Sequence, residues 1–344
     1  MLSARTEAPP GTVNFHAEPF RPAWWLPGPH AQTIAGRMLR RPPPLPLHRE
    51  RIETPDGDFL DLDFTTLARS GAPLAVLLHG LEGSSRRGYA INTYRALDAH
   101  GVGAVGVNFR SCSGEPNRMR RSYHSGDTDD FRFVLHFLAG RFPGSPLGAI
   151  GFSLGGNVLL KFLGEERANA PLVAAVAISV PYDLGACADA LADSFMGRFY
   201  TRHFLRGLVE KMERKRALID GHIDFARVRA ARTFREFDDA ATAPLHGFVD
   251  AEDYYCRSSS GPYLPHVRVP VLLLHAEDDP FLPAEAQPVA TIRANPWLTG
   301  VVTRAGGHVG FVEGQPGVPR FWVERQAARF LADRLRIDSP PLAG

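Results

Sequence analysis

The chain has 344 residues, of which 44% are hydrophobic and 22% are charged, and its formal net charge is +2. These values are ordinary for a globular protein with a substantial core, so they exclude a largely disordered chain. The small net charge gives no electrostatic reason to expect a nucleic-acid partner. The length suits one large α/β domain that carries an insertion.

The cysteine pattern and the apolar runs bear on the cellular compartment. Cys112, Cys187 and Cys256 are odd in number and widely spaced, and no Cys-x-x-Cys pair occurs. This favours a reducing compartment and excludes a disulfide framework or a zinc finger. Residues 1–13 lack the apolar region of a signal peptide, and the longest apolar run, LVAAVAISV, is too short to span a bilayer. We therefore predict a cytoplasmic location.

In chain order, the sequence begins with a proline-rich arm over residues 1–50 and continues with the main domain over residues 51–344. Each proline removes a backbone donor and fixes φ, so we expect the arm to pack on the domain without a long regular element. From residue 51 onward, ERIETPDG and FLDLDFTT predict two strands. The Pro-Asp-Gly between them predicts a turn, and hence a hairpin.

The next segments alternate between apolar strands and helices. Strands are predicted at AVLLHG, GAVGVNF, LGAIGF and VAAVAISV, with helices between them at YAINTYRALDAHG, DTDDFRFVLHFLAG and GGNVLLKFLGEE. Near-continuous apolar strands separated by helices predict a mostly parallel, doubly wound α/β sheet that is covered on both faces. Two further strands, in PVLLLHAEDDP and GVVTRAGGH, extend the sheet, and PRFWVERQAARFLADRL predicts a final amphipathic helix.

A long polar segment over residues 185–266 interrupts this alternation. Its arginine-rich sequence predicts helices that are inserted between two strands, just before PVLLLH. Because the segment follows a strand at the carboxyl edge of the sheet, we expect it to form a helical cap over that edge.

The segment GVGAVG, from Gly101 to Gly106, matches the dinucleotide-binding fingerprint Gly-x-Gly-x-x-Gly. That fingerprint works only where the glycines follow a strand and open a helix, whose N-terminus meets the pyrophosphate. Here the order is reversed, because the predicted helix ends at Gly101 and the glycines lead into a strand. No Gly-Lys-Ser/Thr phosphate loop occurs either, so we predict no nucleotide cofactor.

The segment GFSLG places Ser153 in a Gly-x-Ser-x-Gly motif. The predicted strand LGAIGF precedes the serine and the predicted helix GGNVLLKFL follows it, which is the setting of a nucleophile elbow. Glycines beside the serine are then required, because the turn is strained and leaves no room for Cβ atoms. We therefore predict that Ser153 is a catalytic nucleophile. The alternative is a serine that caps the helix beside packing glycines.

A nucleophilic serine needs a general base, and His308 is the candidate. It lies directly after the last predicted strand, in RAGGHVGF, where flexible glycines can aim the imidazole at the carboxyl edge of the sheet. His275 lies inside the predicted strand LLLH and is interpreted as a hydrogen-bonded core residue. Of the thirteen histidines, His308 alone has the placement that a base requires.

The base in turn needs a carboxylate that orients it, and three aspartates are candidates. Asp278 and Asp279 both follow the predicted strand that precedes the last one, and Asp183 follows the strand before that. Pro280 and Pro283 restrict the loop just after Asp279, where such an acid commonly lies. We select Asp279 and interpret Asp278 as a solvated or capping carboxylate.

An acyl-enzyme mechanism also needs two N–H donors for the developing oxyanion. The residue after the nucleophile supplies one, the backbone N–H of Leu154, and the loop LLHGLEGSS offers a second, the N–H of Leu81. The alternative is that His-Gly in this loop simply ends a strand.

Several of these motifs together resemble the YheT-like α/β-hydrolases: LLHGLEGSS, NFRSCSGEPNR, SYHSGDTDD, GFSLGGN, REFDDAATAPLHGF, YYCRSSS, AEDDPFLP and GGHVGF. The family includes eukaryotic hydrolase-domain phospholipases and fungal enzymes that make medium-chain fatty acid ethyl esters. The resemblance extends from about Phe20 to the last helix. It implies an α/β-hydrolase fold and serine ester hydrolysis with the triad Ser153, Asp279 and His308.

This sequence departs from the family in two ways. Ser111 in RSCSG stands where the resemblance implies glycine, so we expect a slightly altered loop there. Eukaryotic relatives often carry an N-terminal membrane segment that this sequence lacks, so any membrane contact is expected to be peripheral.

The motifs together predict a serine carboxylic-ester hydrolase that acts through an acyl-enzyme on short- to medium-chain acyl esters or lipids, without cofactor or metal. Two alternatives stay open. One is an acyltransferase or thioesterase that uses the same triad, and the other is a catalytically silent binding protein that has kept the fold. The sequence makes no prediction of the oligomeric state.

The predicted cap carries a cluster of basic residues with few acidic ones: Arg198, Arg202, Arg206, Lys211, Arg214, Lys215 and Arg216. One interpretation is a solvated helix face. The other is that the basic face meets anionic head groups while apolar side chains line an acyl pocket beneath it. The apolar candidates are Phe195, Phe199, Phe204 and Leu208.

Overall fold

The chain folds into alternating strands and helices. In the computed structural model, which describes residues 15–337, that range contains ten β-strands and thirteen α-helices. The strands are β1 (His48–Glu53), β2 (Phe59–Phe64), β3 (Leu74–Leu78), β4 (Gly103–Asn108), β5 (Leu147–Phe152), β6 (Ala174–Ile178), β7 (Val271–Ala276), β8 (Leu298–Thr303), β9 (Val312–Gln315) and β10 (Val318–Phe321).

The helices cover both faces of the sheet and its carboxyl edge. They are α1 (Gly28–Leu39), α2 (Gly88–Asp98), α3 (Asp129–Arg141), α4 (Leu154–Glu166), α5 (Leu184–Asp193), α6 (Phe195–Arg214), α7 (Arg216–Ile219), α8 (Phe225–Ala230), α9 (Phe234–Phe237), α10 (Ala243–His246), α11 (Ala251–Ser258), α12 (Val289–Ala294) and α13 (Trp322–Ile337). None of the helices in the described range combines the length and apolarity needed to cross a membrane.

Eight strands form one sheet in the order β1-β2-β4-β3-β5-β6-β7-β8. The hairpin expected around Pro-Asp-Gly is confirmed, since β1 pairs antiparallel with β2 from His48 opposite Phe64 to Glu53 opposite Phe59. Strand β2 is also antiparallel to β4, whereas β3 to β8 are all parallel. The predicted fold, a mostly parallel doubly wound sheet, is therefore confirmed.

The apolar residues of the sheet belong to two separate cores. Along β3, the side chains of Leu74, Val76 and Leu78 join one core cluster, and those of Ala75 and Leu77 join the other. The first cluster includes α3 and α4, and the second includes α2 and α13. Because successive strand residues point to opposite faces, fully apolar strands require helices on both faces.

The N-terminal arm packs on the domain as expected, through contacts of Phe15, Phe20 and Leu47 with the α2/α13 core. The expectation that it lacks a long regular element is wrong, because α1 has 12 residues. Its proline, Pro29, lies in the first turn, where a missing N–H has no helical partner to lose. The next proline follows the helix, at Pro42. Residues 1–14 of the arm lie outside the described range.

The predicted final helix begins later than expected. Residues 318–321 form strand β10, which pairs with β9, and α13 begins at Trp322. The sequence alone does not reveal β10, because a strand of four residues is too short to show a clear alternation.

The chain between β6 and β7 forms helices α5 to α11, hereafter the cap. The cap has an apolar cluster of its own, formed by Leu205, Met212, Ile219, Phe225, Val228, Phe237, Ala240 and Ala241. The helical insertion predicted before the strand that leads to Asp279 is therefore confirmed, and that strand is β7.

Candidate active site

Ser153 lies in the sharp turn between β5 and α4, with φ of 51° and ψ of −117°. Such a backbone conformation is strained for a residue other than glycine. A Cβ on Gly151 would lie 2.5 Å from the Gly155 carbonyl oxygen, and a Cβ on Gly155 would lie 2.5 Å from that of Leu78. Ser153 occupies the N-cap position of α4, but its side chain makes no capping hydrogen bond. The helix-capping alternative is therefore wrong.

The side chains of Ser153, His308 and Asp279 form a continuous hydrogen-bonded chain. The distance from His308 Nε2 to Ser153 Oγ is 2.9 Å, and that from His308 Nδ1 to Asp279 Oδ2 is 2.9 Å. A carboxylate can only accept, so Nδ1 carries the proton and Nε2 accepts from the serine hydroxyl. The ring of Phe281 stacks on the imidazole with 4.2 Å between centroids, which restricts its orientation.

The other candidates for the acid and the base lie elsewhere. Asp278 Oδ1 accepts a hydrogen bond from the Gly307 N–H at 2.8 Å, and Asp183 caps α5 by accepting from the Ala186 N–H. His275 is buried in β7, but its Nδ1 has no hydrogen-bond partner within residues 15–337. His275 is therefore a core residue as interpreted, but the expectation that it is fully hydrogen-bonded is wrong, because Nδ1 is unpaired within the described range. Asp279 is the candidate that contacts His308.

The two candidate oxyanion donors border the same cavity as Ser153. Within the described range, neither the Leu81 N–H nor the Leu154 N–H donates to another group of the chain. Glu82, which follows Leu81, has a φ of 53°. Its N–H donates to the Tyr123 hydroxyl at 3.1 Å, and that hydroxyl donates to Glu82 Oε1 at 2.9 Å.

The cap also holds this loop, through Lys211 of α6. Lys211 Nζ donates to Glu82 Oε1 at 2.6 Å and contacts Cys112 Sγ at 3.1 Å. Lys215 is buried, and its Nζ donates to Asn117 Oδ1 at 2.8 Å. The prediction that these two lysines belong to an outward basic face is therefore wrong. A charged residue on a helix shows no sign in the sequence that its partner lies on a distant loop.

A cavity of about 790 Å³ opens beside Ser153 and His308. Of the four predicted apolar side chains, Phe199, Phe204 and Leu208 line it. Phe195 does not, since it begins α6 and is 78% exposed. The remaining apolar lining includes Leu184, Leu191, Phe234, Phe237, Tyr254, Tyr255, Phe281 and Leu282.

Two carboxyl residues border this largely apolar cavity, Glu82 and Asp238, and the Asp238 carboxyl is the more deeply buried of the two. It accepts hydrogen bonds from Tyr255 Oη at 2.7 Å and from Thr242 Oγ1 at 2.5 Å. Burial, which outweighs these two hydrogen bonds, raises the pKa of Asp238 to about 6. The charge of Asp239 also raises that pKa, and Arg235 lowers it.

The pKa of an aspartate in the unfolded chain is about 3.9. Because the pKa of Asp238 is higher in the folded protein, the free energy of unfolding depends on pH. The contribution of Asp238 is therefore fully present below about pH 3.9 and is lost as the pH rises through the folded value of about 6. We expect Asp238→Asn, which stays neutral, to raise Tm by about 1–3 °C at pH 7.5 and by less at pH 4.5. Thermal unfolding of both proteins at both pH values measures this difference. An equal change at the two pH values would contradict it.

Comparison with known proteins identifies the family of the chain. A family model described as the α/β hydrolase fold matches residues 73–315. The Escherichia coli K12 protein named "Putative esterase YheT" is 39% identical over 314 residues, which are 90% of this chain and 92% of that protein. The chain belongs to the YheT-like α/β-hydrolases.

Other relatives of this YheT-like hydrolase are named for acting on esters and lipids. The mouse phospholipase ABHD3 is 32% identical over 304 residues, covering 86% of this chain and 74% of the mouse protein. The structure of the Pyrococcus furiosus esterase Pf2001 has the same fold, with a TM-score of 0.55 and 16% identity over 85% of this chain and 94% of that one. The protein is therefore a member of an esterase- and lipase-type hydrolase family.

Ser111 of this YheT-like hydrolase, which stands where the resemblance implies glycine, has a φ of 63°. Glycine adopts that conformation without strain. Here the serine hydroxyl donates to Asn117 Oδ1 at 2.6 Å and accepts from the Asn117 N–H at 3.0 Å. These two hydrogen bonds oppose the strain.

Within residues 15–337 of this hydrolase, no group of three or more His, Cys, Asp or Glu side chains is placed to hold a metal ion.

Proposed function

We propose that this protein is a serine carboxylic-ester hydrolase that acts through an acyl-enzyme. The observation that carries the proposal is the hydrogen-bonded chain of Ser153, His308 and Asp279, with 2.9 Å on each side of the imidazole. His308 Nε2 takes the hydroxyl proton as Ser153 Oγ attacks the ester carbonyl carbon. The imidazolium that forms is stabilised by Asp279.

The remaining steps use the same groups. The N–H groups of Leu81 and Leu154 donate to the oxyanion of the tetrahedral intermediate, a contribution of about 2.7–4 kcal/mol for each donor. His308 Nε2–H then protonates the departing alcohol, leaving the acyl group on Ser153. Water, deprotonated by the same nitrogen, hydrolyses the acyl-enzyme and releases the carboxylic acid.

The size and lining of the cavity support the proposal that the substrates carry short to medium acyl chains. Its volume of about 790 Å³ and its aromatic and aliphatic lining suit a hydrocarbon chain beside the reacting carbonyl. Each methylene that enters contributes about 0.8 kcal/mol until the cavity is full. The proposed partner is a small acyl ester or lipid.

The mouth of the cavity adds a cationic feature. Arg37 and Arg87 line the cavity and are also exposed. Burial, followed by the nearby charge of Arg87, lowers the pKa of Arg37. Within the described range the hydrogen bonds of the two guanidinium groups go to neutral partners, from Arg37 to the His203 ring at 2.7 Å and from Arg87 to the Glu82 carbonyl at 3.2 Å. Ile34 and Met38 are exposed beside them. This rim suits an anionic head group, so the proposal includes peripheral contact with lipid.

The proposal also includes a cytoplasmic location, because all three cysteines are free.

The length of the acyl chain tests the proposed pocket. In a series of p-nitrophenyl esters from acetate to palmitate, kcat/KM is expected to rise to a maximum at intermediate length and then fall. Leu208→Trp, which fills part of the cavity, is expected to move the maximum toward shorter chains. Phe195→Trp is the matched control, because Phe195 lies on the same helix outside the cavity. A steady decline from acetate onward, or the same shift in both variants, would contradict the proposed pocket.

A further inference from the structure

The loop that carries His308 is held from outside the sheet by α1. The backbone N–H of His308 donates to Thr33 Oγ1 at 2.9 Å. The buried side chain of Gln32 bonds both backbone groups of Val312, accepting from its N–H at 2.8 Å and donating to its carbonyl at 3.2 Å. Gln32 and Thr33 are consecutive residues of α1, so this helix contacts the segment around His308 at two points.

Arg40, just after α1, adds a third point. Its Nη2 donates to the carbonyls of Val309 and Gly310, at 2.8 and 3.0 Å. Its Nη1 donates back to the Gly36 carbonyl at 2.9 Å, and its Nε pairs with Glu324 Oε1 at 2.6 Å. Both side chains of this ion pair are buried, at 3% and 2% exposure.

The backbones of α1 and the loop approach so closely that glycine is required at the contacts. A Cβ on Gly310 would lie 2.5 Å from the Gln32 carbonyl oxygen, and a Cβ on Gly36 would lie 2.8 Å from Gly310 Cα. A Cβ on Gly307 would lie 2.6 Å from Thr33 Oγ1. The glycines of RAGGHVGF, which we had interpreted as giving flexibility, instead allow this close packing.

The loop needs external support, because two residues beside His308 have unfavourable backbone conformations. Val309 has a φ of 57° and Phe311 a φ of 43°, and such strain persists only where surrounding contacts enforce it. From the sheet side, Ser179 Oγ accepts from the Val309 N–H and Asp278 from the Gly307 N–H. The contacts from α1 and Arg40 add to this support.

We propose that α1 positions the catalytic imidazole, with Gln32, Thr33 and Arg40 as positioning residues. This inference rests on the proposed function, since it assigns a role to His308 in ester hydrolysis. Small displacements matter here, because a misplacement of about 1 Å can lower a rate by about 10²-fold. The N-terminal arm is thus part of the active site, although none of its side chains from residue 15 onward hydrogen-bonds with the side chains of Ser153, Asp279 or His308.

Thr33→Val tests the proposal, because it removes the acceptor of the His308 N–H with little change in size. Thr33→Ser keeps the hydroxyl. Thr93→Val is the matched control, since the Thr93 hydroxyl makes the same bond to the carbonyl four residues earlier as Thr33 does, at 2.8 Å in each case, but lies on α2 and makes no hydrogen bond to the loop within the described range. The readout is kcat per active site, with sites counted by the burst of p-nitrophenol. We expect Thr33→Val to lower kcat per site by about 10- to 100-fold with KM within about twofold, and Thr33→Ser and Thr93→Val to stay within about threefold of the wild type.

Fewer active sites with an unchanged kcat per site would overturn the proposal, because they would show that Thr33 only stabilises the fold. If Thr33→Val does not fold, Thr33→Ala removes the same acceptor with less bulk and is judged by the same readout. Reaction of wild-type Ser153 with a fluorophosphonate separates the two proposals. Labelled wild type with a normal Thr33→Val overturns the role of α1 alone, whereas an unlabelled wild type overturns the proposed function as well.

Discussion

Ser153→Ala is expected to lower kcat for ester hydrolysis by about 10⁶-fold. The substitution removes the only atom that forms a bond to the acyl group, so His308 has no hydroxyl to deprotonate. The fold should persist, because the elbow tolerates a smaller side chain and Ser153 Oγ makes no bond to the helix that follows. Hydrolysis of a p-nitrophenyl ester by purified variant and wild type measures the loss, and their Tm values report the fold.

Ser145→Ala is the control for this substitution, since Ser145 lies before the amino end of β5, opposite the elbow. Its kcat should equal that of the wild type. If Ser153→Ala retained a tenth or more of the wild-type kcat while Tm was unchanged, Ser153 would not be the nucleophile.

Asp279→Asn is expected to lower kcat by about 10⁴-fold. An asparagine can donate to Nδ1, which favours the imidazole tautomer with its proton on Nε2, and that nitrogen can then no longer accept from Ser153. Asp278→Asn is the matched comparison, because the Asp278 side chain accepts from the backbone N–H of Gly307 and makes no hydrogen bond with the His308 imidazole within the described range. We expect it to lower kcat by less than about 10-fold. Steady-state hydrolysis of one ester by both variants gives the ranking.

The opposite ranking would assign the orienting role to Asp278. Small and equal effects in the two variants would instead direct attention to Asp183, which caps α5.

The fold and the approximate positions of the site residues could be predicted because they depend on local patterns. Strands such as β5 are apolar throughout, which requires cover on both faces. The elbow at Ser153 and the loop at His308 each follow a strand of a parallel sheet, and the carboxyl ends of such strands share one edge. Sequence patterns do not distinguish Asp278 from Asp279, because these neighbouring carboxylates differ only in which way the loop turns them.

The contacts that surround the site could not be predicted in the same way. The pairing of Lys211 with Glu82 joins residues 129 positions apart, and helix periodicity does not reveal such a partner. The prolines of the arm suggested irregular structure, yet the stretch after Pro29 is free of proline and forms α1. The role of the glycines near His308 depends on the approach of that helix, which no pattern within RAGGHVGF encodes.

The most direct test of the central claim is to find where a fluorophosphonate binds covalently. An activated serine attacks the phosphorus and displaces fluoride, and His308 accepts the hydroxyl proton. After proteolysis of the labelled wild-type protein, mass spectrometry is expected to locate one adduct, on Ser153 in the peptide that contains GFSLGG, and none in Ser153→Ala. An adduct on another residue, or no adduct on folded wild-type protein, would contradict the assignment of Ser153, His308 and Asp279 as a catalytic triad.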